Sequence, residues 1–502
     1  MPSSPAPSAA ASASDAPVAA SHSASSGSAS SRSTPSVPTA AESSRGSGQP
    51  GVSTRRLALV LLLAGFASFA ELYAVQGLLP SLAADFGISA ADTAWIVSAG
   101  TIGVAIGVFP WAWAAGRIGR LQALRIATIV GVLLMLVSTL APTLELMLVG
   151  RLLAGVFLGG VPVLAVPYVY DLLSGRRAAV ALATYISGTT IGGAGGRLLA
   201  GPLGEWLGWE SALMAISGLS LLCAILFAVL APVPATGSAL VPAASSSAPS
   251  GGFAARTGIR AARTSQWSRI KAALAQPHLR RLDLQGLLLT GVMVSFYSLI
   301  GFRLAAEPFH LSPTWTAFVF LAYFAGTFSS RLAGTWLPRF GFVRTDLVAL
   351  ALTAVGLGLT LIPHLVAVVA GVVIFTAGFF MAHSAAVTTV GATSSPASRS
   401  QASALYTLCF YLGSGVVGGF VALAYDFSGW AVLIGVMLLI IAFAGISAAT
   451  TTVPRPAFLR ASMDVPGAAA EGQPATREPD SHLPDSRRAD SRQLESRQPA
   501  SS

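Results

Sequence analysis

The sequence predicts an all-α membrane protein with twelve transmembrane helices in two pseudo-symmetric six-helix bundles. Three observations carry that expectation. The 502 residues are 53% hydrophobic and only 10% charged, against roughly a quarter charged in a soluble domain. Apolar stretches of about 20 residues, the length that crosses a bilayer, recur from Leu57 to Thr450. The second half of the chain repeats features of the first.

Six spans are predicted at about 57–80, 93–115, 122–141, 146–170, 178–200 and 211–231, and six more at about 284–304, 313–337, 345–362, 366–390, 401–424 and 430–450. The domain plan is then a tail over 1–54, a first bundle over 55–231, a linker over 232–283, a second bundle over 284–450 and a tail over 451–502. The first tail is rich in Ser, Ala and Pro with no apolar run, which predicts disorder, a plastid-type transit peptide being the alternative. The last mixes Pro, Arg, Asp and Ser without period and is also expected to be disordered. The basic part of the linker, about 258–282, carries Trp267, Ile270 and Leu274. An amphipathic helix on anionic lipid and a solvated linker both fit it.

A net charge of +10 raises the question of nucleic acid. The cations fall in alternate loops instead, as topology signals do. Arg55, Arg56, Arg117, Arg120, Arg176, Arg177, Arg339, Arg344 and Arg399 share one side with the linker. Asp85, Asp92, Glu145, Glu205, Glu210, Glu307 and Asp426 mark the other. Both termini are expected to be cytoplasmic, the partner surface is lipid, and no nucleic-acid partner is expected. Cys223 and Cys409 fall inside apolar spans and read as small hydrophobes.

The repeat rests on paired segments. Ala112-x-x-x-Gly116-Arg117-Ile118-Gly119-Arg120 ends span two, and Gly334-x-x-x-Pro338-Arg339-Phe340-Gly341 ends span eight at the same spacing. Gly208-Trp209 and Gly429-Trp430 precede spans six and twelve. A duplicated six-helix unit accounts for both pairs.

These segments resemble the major facilitator superfamily across essentially everything between the tails. Arg117, Gly119 and Arg120 match that family's loop signature, although Gly116 stands at its acidic position and Ala112 at its leading glycine. Arg151-x-x-x-Gly155-x-x-x-Gly159 is similar to its second motif. Gly188, Gly192, Gly193, Gly196 and Gly201-Pro202 resemble a loosened form of the motif associated with antiporters. Tyr185-Ile186-Ser187-Gly188, Ala382-His383-Ser384 and Gln401-Ala402-Ser403-x-Leu405-Tyr406 resemble an arabinose-efflux-permease-like branch of the bacterial inner membrane. The resemblance implies the major facilitator fold, alternating access, proton-driven export of a small molecule and function as a monomer. It supplies no substrate.

An ionisable group at membrane depth costs several kcal/mol unless paired or hydrated, so each is a functional candidate. Glu71 in span one and Arg151 in span four fall at similar depth. A proton or an anionic substrate would compete for such a pair, and a structural ion pair is the plain alternative. His383 in span ten is a second proton carrier or a packing histidine. Arg331 in span eight, with Tyr185 and Tyr406, is a candidate for the substrate cavity. Arg197 and Arg303 read as snorkelling residues at the outer ends of spans five and seven.

The loop residues Arg117, Gly119, Arg120, Arg339 and Gly341 are gate candidates, with Asp171 as the acid left to pair with Arg117 or Arg120. Topology signalling alone is the alternative. Gly155, Gly159, Gly188, Gly192 and Gly196 form small stripes that let helices approach closely. No metalloprotease, phosphate-loop or clustered Cys/His signature is visible, so no enzyme activity, metal or cofactor is expected. Uptake by a symporter, or sensing on a transporter scaffold, are the competing functions.

Overall fold

With water absent, each crossing segment has to satisfy its own backbone hydrogen bonds, and the regular structure found here is helical throughout the described residues. The computed structural model describes residues 53–234, 266–395 and 398–453. Nearly all of both expected tails, the first part of the linker and the side chain of Trp267 lie outside the described residues.

The first bundle contains α1 (Thr54–Tyr73), α2 (Leu79–Phe86), α3 (Ala90–Ile118), α4 (Arg120–Thr139), α5 (Leu144–Leu158), α6 (Gly160–Leu172), α7 (Gly175–Leu207) and α8 (Trp209–Leu230). After α9 (Gln266–Leu274), the second contains α10 (Pro277–Ala305), α11 (Pro313–Ala317), α12 (Tyr323–Leu359), α13 (Leu365–Thr393), α14 (Arg399–Leu412) and α15 (Gly418–Ala449). The helix carrying span seven starts at Pro277, earlier than the apolar run, because Leu279 and Leu282 pack with Ala273 of α9 and Tyr406 of α14.

Nine helical stretches among the described residues are long and apolar enough to cross a bilayer. Two of them cross twice. Pro313–Leu359 reverses at Gly341 and Arg399–Ala449 reverses at Ser428 and Gly429, where the backbone leaves the helical region. The glycine-diluted α7 supplies a further crossing, and the total is twelve. Their even number puts the described ends at 53 and 453 on one face, called the termini side below.

The duplication is visible in the backbone. Gly119 (φ 85°, ψ 148°) and Gly341 (φ 78°, ψ 171°) take the same left-handed extended turn. Gly208 and Gly429 also share positive φ. This region is nearly closed to residues with a Cβ. Gly341→Ala is therefore expected to lower unfolding stability by about 1–3 kcal/mol, while Gly334→Ala, inside the helix with open space around its Cβ position, stays close to wild type. Thermal unfolding of the purified protein reads the difference.

Small residues set the helix spacing. A Cβ on Gly188 would lie 2.7 Å from Cα of Leu62 in α1, and one on Gly192 would lie 2.7 Å from Cα of Phe66. Gly155 meets Gly100 and Gly103 of α3, and Gly159 meets Val104.

The two bundles join in the half farther from the termini. Glu205 of α7 accepts from the Ser312 hydroxyl (2.8 Å) and the Thr314 amide (3.0 Å). Asp426 accepts from the Ala91 amide (3.4 Å), Gly201 packs on Pro313 and Ala317, and Trp95 stands edge-on to Phe420. Farther toward the termini side, Ser187 of α7 and Thr327, Phe328 and Arg331 of α12 are exposed.

Candidate functional site

The first site grows from a break in span one. At Ala74–Gly77 the α-helix gives way to a 3-10 turn, and the Leu72 carbonyl near the helix end needs a donor. Arg151 of α5, almost fully buried, supplies it through Nη2 (3.2 Å) and donates Nε to the Ile96 carbonyl of α3 (2.7 Å). One guanidinium thereby ties three crossings together.

Glu71, one residue before Leu72, is 5% exposed and points between α1 and α8. Its Oε2 accepts from the Ser217 hydroxyl at 3.1 Å. Among the described residues its Oε1 has no hydrogen-bond partner within bonding distance, and neither has the hydroxyl of Ser220, which lies close enough to act on the carboxyl. Arg151 lies within electrostatic range but makes no direct ion pair with it. The two residues expected at one depth are neighbours, with the arginine committed to carbonyls. A carboxyl in this shell has room for a proton on the orphaned oxygen, where an O–H would meet Ser220.

Arg197 corrects the expectation of snorkelling. It is 3% exposed, because α7 continues to Leu207 with Pro202 inside it and sets Arg197 about 15 Å of helix from that end. Its Nε donates to Gln76 Oε1 (2.7 Å) and its Nη1 to the Gly193 carbonyl (2.8 Å). The guanidinium faces the rings of Tyr73 (4.4 Å), Tyr323 (4.9 Å) and Phe320 (5.3 Å). Gln76 Nε2 then donates to Ser298 Oγ (3.1 Å) and the Val294 carbonyl (3.4 Å) of α10. Arg197 and Gln76 form a polar latch between the bundles. Arg303, by contrast, is half-buried near its helix end, over Phe309 and bonded to the Glu307 carbonyl.

In the second bundle, His383 Nδ1 and the Tyr406 hydroxyl are 2.9 Å apart. The imidazole lies parallel to Phe379 and 4.8 Å from Phe410. Arg331 is exposed and makes no hydrogen bond or ion pair among the described residues. Tyr185 is buried with its hydroxyl unpartnered. Glu71 and His383 thus belong to different bundles.

At the loop after α3, Arg120 rather than Arg117 pairs with Asp171. Arg117 instead lies 3.6 Å above the Trp113 ring. The Arg120–Asp171 pair joins α4 to α6 inside one bundle. Arg339 is exposed beside the Gly341 turn.

Three polar residues of the structure are not marked by the sequence pattern. Gln76 carries no charge at membrane depth, while Asp283 and Asp346 stand at the margins of apolar runs, where carboxylates usually reach water. Burial of Asp283 and Asp346 in the structure is almost complete. A carboxyl within the first turns of an apolar run was the available signal.

Residues 61–418 match the model of the Major Facilitator Superfamily. The inner membrane transport protein YnfM of Escherichia coli (strain K12) is 32% identical over 393 residues, which cover 78% of this chain and 89% of that protein. An uncharacterized transporter of Buchnera aphidicola subsp. Schizaphis graminum (strain Sg) is 28% identical over 389 residues, 78% of this chain and 89% of its own. Among solved structures, a bacterial homologue of the human lysosomal transporter Spinster, inward-facing and unoccupied, aligns with a TM-score of 0.63 at 18% identity. It covers 79% of this chain and 95% of that one, a likeness of fold alone.

Proposed function

The chain belongs to the Major Facilitator Superfamily and is a membrane transporter, and from that premise we propose that it exports a small molecule across the bacterial inner membrane in exchange for protons. Glu71 carries the reading. A nearly enclosed carboxyl with one bonded and one orphaned oxygen, beside a guanidinium engaged elsewhere, is a group that exchanges a proton at low structural cost. Loop charges favour placing the termini in the cytoplasm. The bundles then meet on the outer side and part on the inner side, the geometry of an inward-open carrier. The Arg197–Gln76 latch is the outer seal in that state, and His383 and Arg331 face the substrate route. The protein acts as a monomer.

Everted vesicles under an imposed proton gradient, screened against drugs, sugars and small organic acids, test the proposal. Substrate-dependent proton movement out of acid-loaded vesicles supports exchange. Substrate and proton moving in the same direction indicate symport, and binding without flux indicates a sensor.

The inner gate offers a separate test. Space around the Gly116 Cβ position is open, so an aspartate fits there without displacing a neighbour. Beside Arg117 and Arg120 the added carboxylate is expected to favour closure of the termini side. Alkylation of a cysteine placed at Ser187 should slow severalfold in Gly116→Asp, and an unchanged rate removes the loop from gating.

A further inference from the structure

A second set of buried acids lies at the termini end of the second bundle. Asp346 of α12, just past the Gly341 turn, is fully buried, and its Oδ1 accepts from Gln285 Nε2 of α10 at 2.6 Å. Its Oδ2 has no partner. Asp283 of α10 is 6% exposed, with Oδ1 likewise orphaned. Neither makes an ion pair among the described residues. The surrounding shell is apolar, with Leu279, Leu282, Phe342 and Ala402 packed around Tyr406.

The groups facing the two acids are few. Tyr406 and Cys409 approach from α14, both within electrostatic range of Asp283, and Tyr406 also within range of Asp346. Among the described residues the cations on neighbouring turns are turned away. Arg281 donates to the Thr450 carbonyl and Thr451 hydroxyl, Arg280, Arg344 and Lys271 are exposed, and His278 is half-buried with no partner for Nε2. The Tyr406 ring packs closely on α10 because residue 286 is glycine, where a Cβ would stand 2.9 Å from the ring. The same hydroxyl bonds His383, which is half-buried on α13.

We propose that Asp283 and Asp346 form a second proton-binding site, loaded from the termini side through His383 and Tyr406. An ionised carboxylate with no cation and an orphaned oxygen is costly in an apolar shell, whereas the neutral acid is tolerated. Each uptake moves one proton. It enters at the imidazole, which bonds the Tyr406 hydroxyl here, and crosses once that hydroxyl also closes a hydrogen bond to Asp283 or Asp346; the hydroxyl accepts one proton while passing its own to the carboxylate, and release reverses the path. The site is chemically separate from Glu71, so it stands whether or not Glu71 couples transport.

Infrared difference spectroscopy of the full-length protein in nanodiscs, on a Glu71→Gln background, tests this without a substrate. A protonated-carboxyl C=O band that shifts with Asp-selective carbon-13 labelling is expected to grow as the pH is lowered and vanish as it is raised. Asp346→Asn and Asp283→Asn should each remove part of that band, and Tyr406→Phe should slow its appearance after a pH jump at least tenfold. Should either Asn variant fail to fold, Asp283→Glu and Asp346→Glu decide the matter, since each keeps a carboxyl but takes its C=O out of the Asp-labelled band, and a band unchanged in both belongs to other aspartates and overturns the proposal. An Asp band constant at every pH would identify fixed structural acids and overturn the proposal, as would the absence of such a band.

Discussion

Glu71→Gln is expected to abolish the dependence of transport on a pH gradient while leaving the protein folded in the membrane. Glutamine retains the shape of the side chain, its carbonyl can accept from Ser217 as Oε2 does, and its amide can donate toward the unpartnered Ser220 hydroxyl. The variant lacks only the capacity to release a proton. One pH unit supplies about 1.4 kcal/mol per proton, a factor of ten in accumulation at equal stoichiometry. The variant should forfeit that factor in reconstituted vesicles, yet still equilibrate substrate across the membrane. Retention of gradient-driven accumulation would place the coupling proton elsewhere.

Gly155→Leu is expected to damage the fold severely. A Cβ there would overlap the Gly100 carbonyl oxygen and stand 3.1 Å from Cα of Gly103. Those are backbone atoms of α3, which cannot turn aside as a side chain can. The α3 and α5 helices would have to separate, and Arg151, one turn earlier on α5, would lose its reach to the Ile96 and Leu72 carbonyls. Overpacking of this kind costs about 1–3 kcal/mol or more. Most of the monodisperse protein should be lost on size exclusion. Gly218→Leu, at a position open to its surroundings, is the control and should behave as wild type. A stable, correctly sized Gly155→Leu protein would mean that the helix contact is looser than described.

Latch and acid pair show where reading by span position stops. The apolar run of span five fades near residue 200, just before Gly201-Pro202, and sets Arg197 at a helix end. Proline breaks a helix by removing an N–H and crowding the preceding turn, but Pro202 stands inside α7, and the helix runs on. Asp346 illustrates the converse. Its place at the start of an apolar run suggests solvent, yet the Gly341 reversal folds that start against α10 and delivers Asp346 to Gln285.

Local composition determined the crossings, the duplication, the paired glycine turns and the short list of ions at membrane depth, because the cost of placing polar groups in lipid is paid residue by residue. Tertiary structure decided which ions meet. Arg151 serves carbonyls more than Glu71, Arg120 takes Asp171 while Arg117 takes a tryptophan, and Arg197 closes on Gln76. The reason is geometric: depth along a helix can be counted from a sequence, whereas the azimuth of a side chain and the neighbour it faces depend on how twelve helices pack.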